Sequence, residues 1–273
     1  MGMAQGGESK MDDNHVLTEI REDGVATVTL NRAEVHNAFN DAMIADLTGV
    51  LRRLGDDGAV RAVVLRAEGK SFSAGADLGW MQRMANYGHA ENLADAGALA
   101  ELMRVLNFLP KPTVARVQGP AFGGGVGLVA CCDIAIASDA ASFSLSEVRL
   151  GLIPAVISPY VVAAIGERAS RRYFLTAERF DAAEALRLGL VHRVVPAEEL
   201  DAGVDAVLAR LAEGGPNAQH AAKDLIFAVA HRPVDAGLIR DTAERIATIR
   251  ASAEGREGLA GFLEKRKPAW TAR

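Results

Sequence analysis

Three consecutive glycines inside an uncharged run, "GPAFGGGVGLVACC" from Gly119 to Cys132, constrain this chain more than any other stretch. Glycine loses more backbone entropy on folding than any other residue, so a triplet weakens whatever element contains it. It makes sense where a bare backbone must come close to something. A glycine-rich turn entering a helix has three such uses. It can let a helix and a strand pack tightly, or cradle phosphate with free N–H groups at the positive end of the helix dipole. It can also aim a backbone donor at a developing oxyanion. The spacing of Gly119, Gly123, Gly124, Gly125 and Gly127 has no Lys-Ser/Thr ending and matches a dinucleotide fingerprint poorly. No acid stands about 20 residues on at the end of a second strand, as a ribose contact would require.

The rest of the chain reads as an α/β protein. "HVLTEIREDGVATVTLNR" holds two alternating runs around Asp23-Gly24, a hairpin signal. Residues 40–54 carry Met43, Ile44, Leu47, Val50, Leu51 and Leu54 at helical spacing, with Asn40 placed to cap them. "RAVVLRAEG", "PTVARVQG" and "DIAIAS" read as strands, and a helix spans about Ala90 to Leu109. Repeated strand–turn–helix units imply a parallel sheet. Beyond Pro154 the expected helices cover 168–175, 182–188, 197–212, 217–230, 234–249 and 254–266, interrupted by a strand in "LGLVHRVVP". The expected organisation is a flexible leader over 1–14, a core over 15–197 and a helical region over 198–273.

Composition narrows the partners. Of 273 residues 49% are hydrophobic and 24% charged, with a net charge of -5, which argues against nucleic acid or an anionic membrane as the main partner. Adjacent Cys131 and Cys132 have no metal spacing and read as buried apolar residues in a reducing compartment. No apolar run reaches membrane-spanning length, and a cytoplasmic location is expected.

A second loop, "SFSAGAD" from Ser71 to Asp77, also follows a strand, and Gly75 frees its backbone. Two N–H groups from two such loops are what a thioester oxygen needs as it becomes an enolate oxygen. "SFSAGADL", "VQGPAFGGGVGLVACCDIAIAS" and "FSLSEVRLGLIP", in this order and closed by "GLAGFLEKRKPAW", resemble the crotonase (enoyl-CoA hydratase/isomerase) family from about Val16 to Lys267. The resemblance implies a spiral of repeated ββα units with a helical C-terminal trimerisation region, often paired into hexamers. It implies that the N–H groups of Ala76 and Gly124 form an oxyanion hole, and that Ala38, Ala74, Asp77 and Leu78 border coenzyme A. Phe262 and Lys265 match the C-terminal helix beside the CoA tail, although Lys265 also fits a solvated basic face with Arg266 and Lys267. Coenzyme A enters as part of the acyl-CoA substrate; no metal or redox cofactor is implied.

Family hydratases usually hold two glutamates near the thioester. One matches Glu147; the other position is Gly127, which cannot titrate. An apolar setting would raise the Glu147 pKa and suit it to proton transfer, whereas pairing with Arg149 would make it a surface acid. The space at Gly127 is expected to admit a second water or a distal carboxylate of the substrate. "AVISPYVV" replaces the usual Gly-Gly-Thr-Gln-like run, and with "EVHNAFN" it is similar to the bacterial methylglutaconyl-CoA hydratase branch of leucine and isoprenoid catabolism. The resemblance therefore implies hydration of 3-methylglutaconyl-CoA or a related branched enoyl-CoA. Isomerase or decarboxylase chemistry on the same scaffold is the alternative. AU-rich RNA binding, known in one branch, is a different class. The helix that would carry it has Asp41, Asp46, Asp56 and Asp57 against Arg52 and Arg53, and no lysine. His36 and His192 read as packing residues, Asp133 as a structural acid, and Trp80, Met81 and Met84 as an acyl-pocket wall or plain core.

Overall fold

The computed structural model describes residues 15–271, so the expected leader lies outside the described residues. β1 (Val16–Ile20) and β2 (Val25–Leu30) form the antiparallel hairpin around the Asp23-Gly24 turn. α1 (Asp41–Asp56) starts where Asn40 Oδ1 accepts the Met43 N–H at 2.8 Å, as the sequence predicts. β3 (Ala62–Ala67) is followed by α2 (Leu78–Met84) and α3 (His89–Asn107). β4 (Thr113–Val117), β5 (Ala121–Phe122), α4 (Gly124–Cys131), β6 (Ile134–Ser138) and β7 (Ser142–Ser144) come next. α5 (Ser158–Thr176), β8 (Phe180–Asp181), α6 (Ala182–Leu188) and β9 (Arg193–Val195) complete the strands. The chain then runs through α7 (Leu200–Glu213), α8 (Pro216–Val229), α9 (Ala236–Ala251) and α10 (Ala253–Leu263).

The main sheet has the order β1-β2-β3-β4-β6-β9 and is parallel except for the hairpin. A second, small sheet joins β5, β7 and β8. It continues through parallel bridges between Ser73 and Ala121 and between Phe39 and Ala76. Each repeat thus gives a strand to the large sheet, an extended piece to the small one, then a helix. That is the expected ββα spiral.

The short strands of the small sheet escape sequence reading, because two or three residues cannot display a period of two. α5 begins ten residues before the expected start at 168. Its first turns, "SPYVVAAI", carry little polar patterning, and the helix is broken at Gly166, whose φ is 77°.

Side chains of the parallel strands alternate between two apolar faces. Val63 and Leu65 point into the larger core with Met43, Leu47, Leu102 and Leu106. Val64, Val114 and Ile136 point to the other face, where Leu200, Val204 and Leu208 of α7 cover them. α8 is tied to the core by Lys223, whose Nζ donates to Asp133 Oδ2 at 2.8 Å. The same oxygen accepts the N–H and hydroxyl of Thr113 at 2.8 and 2.9 Å. Asp133 is thus the structural acid expected, joining β4, β6 and α8. Asp133→Ala leaves Thr113 and Lys223 without this acceptor and should cost about 1–3 kcal/mol in chemical denaturation, with the dependence on denaturant unchanged.

Candidate active site

The glycine triplet begins α4, and its surroundings explain why side chains are excluded. Gly123 has φ 49°, and a Cβ there would lie 3.1 Å from Glu147 Oε1. At Gly124 a Cβ would lie 2.7 Å from the Phe39 ring, and at Gly125 it would lie 2.9 Å from Ser73. The helix start is therefore pressed onto two strands of the small sheet. Gly123 N–H donates to Ser144 O at 2.9 Å, and Gly123 O accepts the N–H groups of Val126 and Gly127. The first N–H of a helix has no intrahelical partner. Among the described residues that of Gly124 has no acceptor.

Ala76 reaches the same condition by a different route. In its bridge with Phe39, the Phe39 N–H donates to Gly75 O at 2.6 Å and the Asp77 N–H donates to Phe39 O at 2.8 Å. Alternate residues of an extended strand turn their polar groups to opposite sides. The Ala76 N–H therefore points away from Phe39, and among the described residues it has no acceptor.

Ala76, Gly124 and Glu147 line one cavity of about 660 Å³. Its wall is largely apolar, with Trp80, Met81, Met84, Leu99, Ile153 and Val156, and no lysine or arginine lines it. Trp80 and the two methionines are thus wall residues, and the indole N–H of Trp80 donates to Asp95 Oδ1 at 2.8 Å. Glu147 opens a 3-10 turn over Glu147–Leu150. Its Oε2 is buried without a partner, and among the described residues it makes no ion pair with Arg149. Burial pushes its carboxyl above the ordinary carboxylate range.

The expectation of free space at Gly127 is corrected. A Cβ there would come within 2.3 Å of Ile157 Cγ2 and 3.2 Å of Met103 Cε. Ile157 is 2% exposed, so an apolar side chain occupies the space a second acid or a water was expected to take. It could not be read from a glycine, because Ile157 arrives from 30 residues downstream.

Ala74 lines the cavity, while Ala38 is buried, is not among the cavity residues, and has its carbonyl accepting Arg32 Nη1 at 2.6 Å. Asp77 has its oxygens engaged by protein donors: Oδ1 accepts the N–H groups of Gly79 and Trp80, and Oδ2 accepts Arg32 Nη2. Leu78 stands 77% exposed at the start of α2. Phe262, 82% exposed, and Lys265 lie at the end of α10 and are not among the cavity residues. His36 and His192 do make packing contacts, with Ser71 Oγ and the Ala135 N–H. Cys131 and Cys132 are buried free thiols.

Asn37 was missed. It is fully buried at φ 53°, its amide donates to Glu68 O and Ser71 O, and its carbonyl accepts the Ser73 hydroxyl. Asparagine tolerates the left-handed region better than most residues, which is the one signal "HNAF" offers.

Two N–H groups without acceptors and the Glu147 carboxyl, all on one largely apolar cavity, define a site suited to polarising a carbonyl and moving a proton beside it. The chain belongs to the enoyl-CoA hydratase/isomerase family, whose model matches residues 20–273. An enoyl-CoA hydratase of Shewanella pealeana has 47% identity over 95% of this chain and 97% of that one, with a TM-score of 0.92. A crotonase-type chain of Legionella pneumophila has 49% identity, covers 94% of this chain and 98% of its own, and gives 0.88. A crotonyl-CoA hydratase of Syntrophomonas wolfei is 32% identical over 90% of this chain and 94% of its own length. Among the described residues no helix is long and apolar enough to cross a membrane, and no three His, Cys, Asp or Glu side chains are grouped to hold a metal.

Two outcomes follow from the site's packing and burial. A carboxyl whose folded pKa is raised opposes folding as pH climbs from its ordinary value, 4.5, through the raised one, because the folded state must hold a buried charge or take up a proton. Glu147→Gln should therefore melt higher than the unaltered protein at neutral pH, and the gap should close toward pH 4. Gly127→Ala should cost about 1–3 kcal/mol by overpacking, and Ile157→Ala should recover part of that loss in a double-mutant cycle.

Proposed function

We propose that this protein hydrates the double bond of an enoyl-CoA, 3-methylglutaconyl-CoA or a related branched enoyl-CoA, with Glu147 as its single catalytic glutamate. The observation that carries this reading is the shared cavity of Ala76, Gly124 and Glu147. In the proposed mechanism the thioester oxygen accepts the N–H groups of Ala76 and Gly124, drawing charge from C3. Glu147 takes a proton from water, and the oxygen adds to C3 as the π electrons move onto the thioester oxygen. The enolate then collapses, and Glu147 gives the same proton to Cα. One water is added and the carboxylate is restored.

The wide apolar wall supports a branched acyl group. With no cation lining the cavity, a distal carboxylate fits only when directed to its open, solvent-facing end. Ala38, Ala74 and Leu78 are the proposed neighbours of coenzyme A. A homotrimer or homohexamer is proposed as the working assembly, supported by exposed Ile226, Ile246, Leu259, Phe262 and Leu263 on the C-terminal helices.

A panel of 3-methylglutaconyl-, 3-methylcrotonyl- and crotonyl-CoA in ¹⁸O-water tests the reaction and its substrate together. Label should enter the product, with kcat/KM highest for a branched chain. A shifted double bond without label would instead indicate isomerisation. Glu147→Gln should lower kcat by roughly 10²- to 10⁴-fold while acyl-CoA binding, measured by calorimetry, is nearly unchanged.

A further inference from the structure

We propose that Arg32 and Asp77 are a positioning pair that holds the Ala76 N–H on the thioester oxygen; this rests on the reading of Ala76 as an oxyanion donor. The two residues are 45 positions apart, one just after β2 and the other just before α2. Arg32 Nη2 donates to Asp77 Oδ2 at 3.0 Å, and Nη1 donates to Ala38 O at 2.6 Å. One guanidinium therefore grips both strands of the bridge, at the residue before Phe39 and the residue after Ala76. The planar fork of arginine holds two acceptors in a fixed geometry, which the freely rotating ammonium of lysine does not.

Ala76 has no side chain that could set the direction of its own N–H. That direction is the orientation of the 75–76 peptide, which a small rotation about the neighbouring torsions would swing out of the cavity. Asp77 resists such a rotation from its far side. Its Oδ1 holds the Gly79 N–H at 2.8 Å and the Trp80 N–H at 3.1 Å, so the same carboxylate caps α2 and anchors the wall residue Trp80. Burial alone would push the Asp77 carboxyl up; the hydrogen bonds from Trp80 and Arg32 outweigh it and hold the carboxyl below its ordinary value. Both side chains are largely shielded, at 14% and 16% exposure, and neither lines the cavity. Any effect on the reaction must then pass through the peptides they hold.

The distinguishing measurement is the infrared band of a thioester carbonyl, ¹³C-labelled in butyryl-CoA, bound to the full-length protein. Polarisation by the two donors lowers its frequency relative to free butyryl-CoA. Arg32→Met should return the band toward the free value and lower kcat by about 10- to 100-fold, with KM changed less than about threefold. Arg32→Lys keeps the charge and loses the fork, so it should fall between the two. Asp77→Asn keeps the cap acceptor and loses the ion pair, and should resemble Arg32→Met. A folded Arg32→Met variant with the unaltered band and kcat overturns the pair while leaving Ala76 as donor. No band shift in the unaltered protein overturns the donor reading itself. If Arg32→Met fails to fold, Arg32→Lys and Asp77→Asn decide: a band and kcat equal to those of the unaltered protein overturn the proposal.

Discussion

The contact on which this architecture depends is a bare helix backbone against its neighbours, where the first turn of α4 meets the Phe39 ring and Ser73. A side chain at Gly124 or Gly125 would collide with them at under 3 Å. No side chain fits on the α4 side of so close an approach, and main-chain bonds fix the strands around it. Phe39, Gly75, Asp77, Phe122 and Gly123 all supply them. Three glycines cost about 0.5–1 kcal/mol each relative to alanine in a regular element. The burial that offsets this lies behind the contact, in fully covered Phe39, Phe72, Met103, Val126 and Leu128. The large core is what makes the bare backbone affordable at its edge.

Electrostatics in the cavity follow from the same packing. Ile157 and Met103 close the space beside Gly127, and the remaining wall is apolar. A carboxyl there has lost water and gained no donor for Oε2, so its neutral form is favoured. The free N–H groups at the start of α4 would ordinarily counter this, since a helix N-terminus favours negative charge. In the proposed complex those groups are taken by the thioester oxygen, and Glu147 keeps a basicity suited to exchanging a proton with water and Cα. A second acid nearby would compete for the same proton, and like charges in a dry site disfavour joint ionisation. Filling that position with isoleucine makes the one-glutamate arrangement a packed state rather than a gap.

How much of this the sequence discloses depends on whether a signal is local. The hairpin, α1 with its Asn40 cap, β3 and α6 each declare themselves within a short local window, and they stand where periodicity puts them. The candidate site was legible as two loops and one acid because family resemblance supplied their mutual placement. What stayed hidden is long-range. β5, β7 and β8 are strands only because they find one another, and Asn37 matters only because its amide meets Glu68 and Ser71. Gly127 is the instructive case. A glycine records that its own side chain is missing; it says nothing about which neighbour fills the volume.

Several departures from ordinary local rules gather around the cavity. His36 and Asn37 take left-handed backbone, Gly75 and Gly123 have positive φ, two N–H groups lack acceptors, and one carboxyl is buried without a partner. Each is unfavourable alone, and a chain selected for stability only would have no reason to assemble them. They are over-determined by rigid surroundings: the Asn37 hub on one side, the Arg32 fork between the strands, and Ile157 with Met103 behind α4. Elsewhere the strands of the main sheet alternate between two apolar faces in the ordinary way. A polarised thioester oxygen is stabilised only if its donors are already in place and cannot relax toward each other or toward water. Holding unpaired donors against that tendency is the task for which the glycine-started helix and the two clamped strands are built.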